Sequence, residues 1–140
     1  MKLEQAKAVI AGAFAHGQST DCKPLGIVVV DAGGHLIAAE RQDGASFKRI
    51  DIATGKAVGA LSLGMSSRKV AEMAADRPQF MAALNVTFNG VLIPSPGGII
   101  VQDGSGIVIG AVGISGDLPD KDEACTLAGI ASAGLVAKPD

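Results

Sequence analysis

The chain has 140 residues and a net charge of −2; 48% of it is apolar and only 19% charged, which excludes a disordered linker. A slightly acidic chain with four Phe and no Trp or Tyr also lacks the basic, ring-rich groove that binds single-stranded nucleic acid. No apolar run approaches the roughly 20 residues that cross a bilayer, so neither nucleic acid nor a membrane is an expected partner.

The length implies one domain over residues 1–140. Its 23 alanines and 19 glycines make up 30% of the residues, so the apolar share comes from small side chains that allow close packing. A mean hydropathy of +0.37 with so little charge predicts a homo-oligomer, a dimer or larger, that hides apolar surface. Cys22 and Cys125 are widely separated and belong to no C-x-x-C motif. That is the cysteine usage of a reducing compartment, and it makes the cytoplasm the expected location.

Residues 3 to 17 place Leu3, Ala6, Ile10, Ala13, Phe14 and Gly17 at spacings of three and four, the stripe of an amphipathic helix. The branched run LGIVVVD, the turn Ala32-Gly33-Gly34 and the run HLIAAER predict a β-hairpin over residues 25 to 41. Helical spacing returns from Ser46 to about Leu63, where Gly55 and Gly59 each cost roughly 1 kcal/mol relative to Ala and so predict a very close neighbour. Ser66 and Ser67 are set to cap a short helix, SSRKVAEMAAD, with Arg68, Lys69 and Glu72 facing water. Pro78 opens another, PQFMAALN, expected to dock Phe80, Met81 and Leu84 on the core.

An irregular loop around Pro94, Pro96 and Gly97-Gly98 then leads into a second hairpin, IIVQ and GIVIGAVGI, joined through Asp103-Gly104. The last helix is expected to open at Asp120, with Glu123 completing a capping box, and to run through Leu127, Ala128, Ala131 and Leu135. The order helix, hairpin, helices, hairpin, helix predicts an antiparallel sheet carrying helices, an α+β domain.

Chemistry-bearing residues are few, and no P-loop, G-x-G-x-x-G, Ser-His-Asp order or metal spacing occurs. Gly97-Gly98 lets backbone N–H groups approach a ligand, and Ser115-Gly116-Asp117 leads into a helix N-terminus that favours an anion. The same residues equally serve tight turns and the helix dipole. Lys56 is a candidate desolvated amine or a solvated surface lysine. Arg41 and Asp43 flank Gln42 at a strand end and suit either an ion pair or a substrate clamp. His16, near the end of the first helix, is a candidate metal or haem ligand with Cys22 nearby in sequence, or a partner of the helix dipole. His35, directly after a turn glycine, is expected to be exposed. No partner for a nucleophilic cysteine is evident.

Taken together, VVVDAGGHLIAAERQDGA, TGKAVGAL and PSPGGIIVQDGSGIVIGAVGISGDLPDKDEA resemble the haem-binding and glycolate-utilisation family, formerly a domain of unknown function, which also forms the C-terminal domain of some cobalamin adenosyltransferases. The resemblance spans about residues 3 to 136, with these segments in family order. It implies a profilin-like α-β-α arrangement with a five-stranded antiparallel sheet, whose fifth strand would come from residues around Val91 to Ile93, and it implies oligomeric assembly. It carries over Asp31, Gly33, Gly34, Arg41, Asp43, Gly44, Lys56, Pro96, Gly97, Gly98, Gly113, Ser115, Gly116, Asp122 and Glu123. Gln42 stands where members commonly have Met. These residues would line one pocket between the second helix, the Pro-Gly-Gly loop and the start of the last helix.

Three functions are compatible with this reading. The first is a cytoplasmic haem- or small-molecule-binding protein with His16 as axial ligand and Cys22 as a possible second ligand. The second is a small catabolic enzyme in which Arg41 and the Gly97 and Gly98 amides hold an anionic carbonyl or hydroxy acid while Lys56, Asp43 or Glu123 moves protons. Pro96, Ser115 and Gly116 would complete the ligand site in either case. The third is a non-catalytic assembly module.

Overall fold

The computed structural model describes residues 1–140. It is a mixed α+β fold: five helices, α1 (Leu3–Ser19), α2 (Arg49–Leu63), α3 (Ser67–Asp76), α4 (Pro78–Thr87) and α5 (Pro119–Ser132), and five strands, β1 (Gly26–Asp31), β2 (Leu36–Arg41), β3 (Gly98–Gln102), β4 (Val108–Ser115) and β5 (Val136–Ala137). All strand pairs are antiparallel, in the order β2-β1-β4-β3-β5. The two hairpins therefore join through β1 and β4, where Gly26 faces Ser115 and Asp31 faces Gly110.

Alternation along β1 and β4 divides the interior between two layers. Ile27, Val29, Val112 and Ile114 pack with Ile99 and Val101 against Ala6, Val9, Ile10 and Ala13 of α1 and Cys125 and Ile130 of α5. Val28, Val30 and Ala111 face the other way, against Ala53 and Ala57 of α2. A third cluster, Val70, Met81 and Leu92, anchors α3 and α4.

Small residues let α2 lie nearly on the strands. A Cβ at Gly113 would overlap the Ala53 carbonyl, one at Gly98 the Lys56 carbonyl, and one at Gly55 the carbonyl of Val91. The neighbour predicted for Gly55 and Gly59 is thus the segment Val91–Ile93, where Leu92 is buried and the Ile93 amide donates to the Gly55 carbonyl. That segment is not the fifth strand. It is an irregular stretch held on α2, and the strand beside β3 comes instead from Val136–Ala137.

Other local expectations are corrected too. The α2 helix starts at Arg49, because Ser46–Lys48 form a turn in which the Arg49 amide donates to the Ser46 carbonyl. Ser66 does cap α3, accepting from the Lys69 amide. Of the three residues expected to dock from α4, Met81 is buried and Leu84 packs against the third cluster, whereas Phe80 is exposed with the Arg77 guanidinium 4.1 Å above its ring. The N-cap of α5 is Leu118, and no capping box forms at Asp120, because both Asp120 and Glu123 bind Arg68 of α3. Arg68 is therefore tied across to α5 rather than free in water, while Lys69 and Glu72 pair on the surface.

Candidate functional site

The predicted site residues gather chiefly in two places, one at the end of the sheet where the two helical layers meet and one on the α1 side. The first is where the start of β3 and the end of β4 meet α2 and α5. There Lys56 runs from α2 past the strand ends, and its Nζ lies 2.9 Å from both Asp122 Oδ2 and the Ile114 carbonyl oxygen. Lys56 and Asp122 are 2% and 1% exposed, so the pair is internal. Burial pushes the Lys56 ammonium below its ordinary value, opposed by Asp122, and pushes the Asp122 carboxyl above its own, opposed by Lys56. The other carboxylate oxygen of Asp122 accepts from the Asp117 amide at 3.0 Å.

Gly97 and Gly98 complete this knot. Gly97 has a φ of +122°, and its carbonyl accepts from Thr126 Oγ1, while the Gly98 amide donates to Ser67 Oγ at 2.7 Å. Ser115 Oγ accepts from Arg49, a contact sequence reasoning missed because nothing in the spacing of residues 49 and 115 couples them. Gly116 is buried against Pro24 and Leu25, and Pro96 is half-buried. The structure thus brings Lys56, Gly97, Gly98 and Ser115 together as expected. The space between them is filled by the Lys56 and Asp122 side chains, and the Gly98 amide is already satisfied. Glu123 points away from this knot to Arg68, at 2.9 Å.

The second place is a groove of about 960 Å³ on the α1 side, between the end of α1, the link Asp21–Pro24 and the end of β2. Ala11, Phe14, Ala15 and Gln18, at helical spacing, form one wall, and Glu40, Arg41, Gln42 and Asp43 the other. Cys22 lies on its lining and Cys125 is buried, with the two sulfurs 3.8 Å apart. Gln42 fixes the opposite wall, its amide and side chain both bonding the backbone of Leu25. No Arg41–Asp43 ion pair forms. The turn after β2 carries Asp43 away, and the Arg41 guanidinium instead donates to the Ala45 carbonyl at 2.8 Å.

His16 is half-buried in the last turn of α1, between the groove residues Ala15 and Gly17, and is not itself on the groove's lining. His35 is exposed, as expected, beside Asp31. No group of three or more His, Cys, Asp or Glu side chains is arranged to hold a metal ion, and no helix is long and apolar enough to cross a membrane.

The family model for the haem degrading protein HbpS-like family matches residues 1–131. The chain belongs to the HbpS-like family. None of the curated proteins matches this HbpS-like chain. Among solved structures, the PduOC:heme complex superposes with a TM-score of 0.86 at 21% identity, covering 97% of this chain and 96% of the other. The Klebsiella pneumoniae protein ORFY also gives 0.86, at 26% identity, covering 96% and 90%. HbpS gives 0.79 at 24% identity, covering 94% and 88%. These similarities agree with the α+β architecture and with the family resemblance read from the quoted sequence segments.

Proposed function

We propose that this HbpS-like chain is a cytoplasmic haem-binding protein whose ligand site is the groove between α1 and the end of β2. The observation that carries the reading is the donor set of that groove: a thiol at Cys22, a ring at Phe14 and a guanidinium at Arg41 on one concave surface. These groups suit a flat, amphipathic ligand with one carboxylate for Arg41, the one cation on a lining that also carries Asp21, Glu40 and Asp43. Phe14, Ala11, Ala15 and Pro24 offer it apolar contact, Arg41 pairs with a ring carboxylate, and Cys22 presents sulfur to a metal centre. Asp21, Glu40 and Asp43 are exposed carboxylates that keep the mouth of the groove wet. Bound haem would supply a redox-active iron.

Cys22, being on the lining, is better placed than His16 to reach the interior of the groove. His16 serves a ligand that approaches over the last turn of α1. Homo-oligomerisation is part of the same reading, supported by exposed Leu36, Phe47, Val86, Ile107 and Leu118.

Haem titration tests it. The Soret band lies outside the absorption of the protein itself, so bound haem is read directly. The expected result is a saturable band that shifts in Cys22→Ser and weakens in Arg41→Ala, while the same titration of His16→Ala reads the histidine's share. Absence of a saturable band in the native oligomer overturns the reading.

A further inference from the structure

The two cysteines are 103 positions apart in sequence, yet their sulfurs are 3.8 Å from one another, in van der Waals contact. They differ in every property that sets thiol chemistry. Cys125, in the middle of α5, is fully buried among Ala13, Leu25, Ile114 and their neighbours. Cys22 is half-buried, lies on the Asp21–Pro24 link and faces the groove.

Nothing in the surrounding structure separates the two thiols. Gly17 lies over both: a Cβ there would sit 3.6 Å from the Cys125 sulfur and 3.7 Å from the Cys22 Cβ, so the bare helix backbone leaves the sulfurs face to face. Thr20 Oγ1, which donates to the His16 carbonyl, is 3.4 Å from the Cys22 sulfur and offers it a hydrogen-bond partner.

We propose that Cys22 and Cys125 are a peroxide-responsive dithiol in which a small hydroperoxide reaching the groove oxidises Cys22 and Cys125 then closes a disulfide. In the first step the Cys22 thiolate attacks the terminal peroxide oxygen. A sulfur–oxygen bond forms, the oxygen–oxygen bond breaks, and hydroxide or an alkoxide leaves and takes up the proton that the Cys22 thiol released, becoming water or an alcohol, so that sulfur loses two electrons and the peroxide gains them. In the second step the Cys125 sulfur attacks the Cys22 sulfenic acid. The sulfur–sulfur bond forms, the sulfur–oxygen bond breaks, and the departing hydroxide takes the Cys125 proton and leaves as water.

The order of events follows from the two environments. Burial and the neighbouring Cys22 push the Cys125 thiol up to about 12, so it stays protonated and unreactive toward a peroxide in solution. It becomes a nucleophile only toward the Cys22 sulfenic acid held 3.8 Å away, giving up its proton to the departing hydroxide as the sulfur–sulfur bond forms. The first hit falls on the sulfur that the groove exposes.

The proposal requires no ligand in the groove and is tested in haem-free protein, which keeps its outcome separate from that of the haem reading. Reduced protein is exposed to a small excess of hydrogen peroxide, denatured, alkylated and weighed by mass spectrometry. The expected product is a monomeric chain two hydrogen atoms lighter than the reduced form, with neither thiol alkylated and a reducible crosslink between the peptides containing residues 22 and 125. In Cys125→Ala the Cys22 sulfenic acid should accumulate and be trapped by a 1,3-dione. In Cys22→Ser, a change at a half-exposed position that spares the core, Cys125 should stay reduced.

Accumulation of sulfinic acid on Cys22 while Cys125 remains alkylatable in the wild type would overturn the proposal. So would crosslinking only between chains, or oxidation of Cys125 at the wild-type rate in Cys22→Ser.

Discussion

Lys56 and Asp122, one from each helical layer, meet at the end of the sheet with Nζ and Oδ2 2.9 Å apart and both side chains almost completely removed from solvent. Such a pair gains little over apolar residues of the same size, yet each member depends on the other, because a single buried charge left alone is costly. Lys56→Met is therefore expected to lose about 3–5 kcal/mol of unfolding free energy. The double variant Lys56→Met/Asp122→Leu should regain most of it. Urea denaturation of the three proteins checks this; a double variant as unstable as the single one would show that the pair is not what the site needs.

Carboxylates on the hairpin turns set the response to acid. The Asp103 carboxyl is held below its ordinary value of 3.8 by the Ser105 hydroxyl and by the amides of Ile107 and Ser105, and that of Asp31 chiefly by the His35 amide. Because these groups bind protons less readily in the folded chain, their contribution is complete above pH 3.8 and drains away as pH falls through the lowered folded values. Stability should decline with acid in that window, and Asp103→Asn should make the decline shallower. Denaturation midpoints measured from pH 5 down to pH 2 read the slope directly.

Glycine substitutions should divide sharply by position. Gly113→Ala would push a methyl into the Ala53 carbonyl of α2, and overpacking of this kind costs roughly 1–3 kcal/mol or more. Gly104 has nothing within 4 Å of a Cβ and lies outside the positive-φ region, so Gly104→Ala should be close to neutral. Thermal unfolding of the two variants side by side tests the contrast.

Ser66 has two partners that alanine cannot replace. Its hydroxyl accepts from the Lys69 amide at the start of α3 and donates to Asp140 Oδ2 at 2.6 Å. Ser66→Ala should cost about 1 kcal/mol, the usual loss of a helix cap, together with one of the two bonds that hold Asp140, whose Oδ1 keeps the residue-66 amide. Hydrogen exchange at the first α3 amides should accelerate while that of β4 stays unchanged.

The sequence carried the helices and hairpins because each is set by neighbours: the stripe of α1, the Gly34 turn at φ +83°, the Ser66 cap. It also announced close approach at Gly55 and Gly59, though not what approached. What it could not carry is partnership across distance. Cys22 and Cys125 have no local signal of contact, and Val91–Ile93, the fifth strand that the family resemblance implied, is instead claimed by α2 through its backbone. Arg41 and Asp43 looked like a pair on strand periodicity, but the strand ends at Arg41, two residues before Asp43. Of the site, the cluster at Gly97, Gly98, Lys56 and Ser115 was legible as a gathering of residues, and the groove only through Phe14, Cys22, Arg41 and Asp43 taken singly.

The glycines beneath α2 make the two sides of the sheet mechanically unequal. With carbonyls of α2 seated where side chains would ordinarily stand, sliding or tilting of that helix meets backbone at once. The opposite layer rests on branched and flexible side chains, and its Asp21–Pro24 link is tied down chiefly by the bonds from Cys22 to Gly17 and from Lys23 to Asp117. Compliance is thus concentrated beside the groove. Because α1 is itself locked to α5, a Cβ at Gly129 falling 2.5 Å from the Val9 carbonyl oxygen, any adjustment to a guest, or to a newly closed crosslink, falls to the link while α2 and the strands act as an anvil.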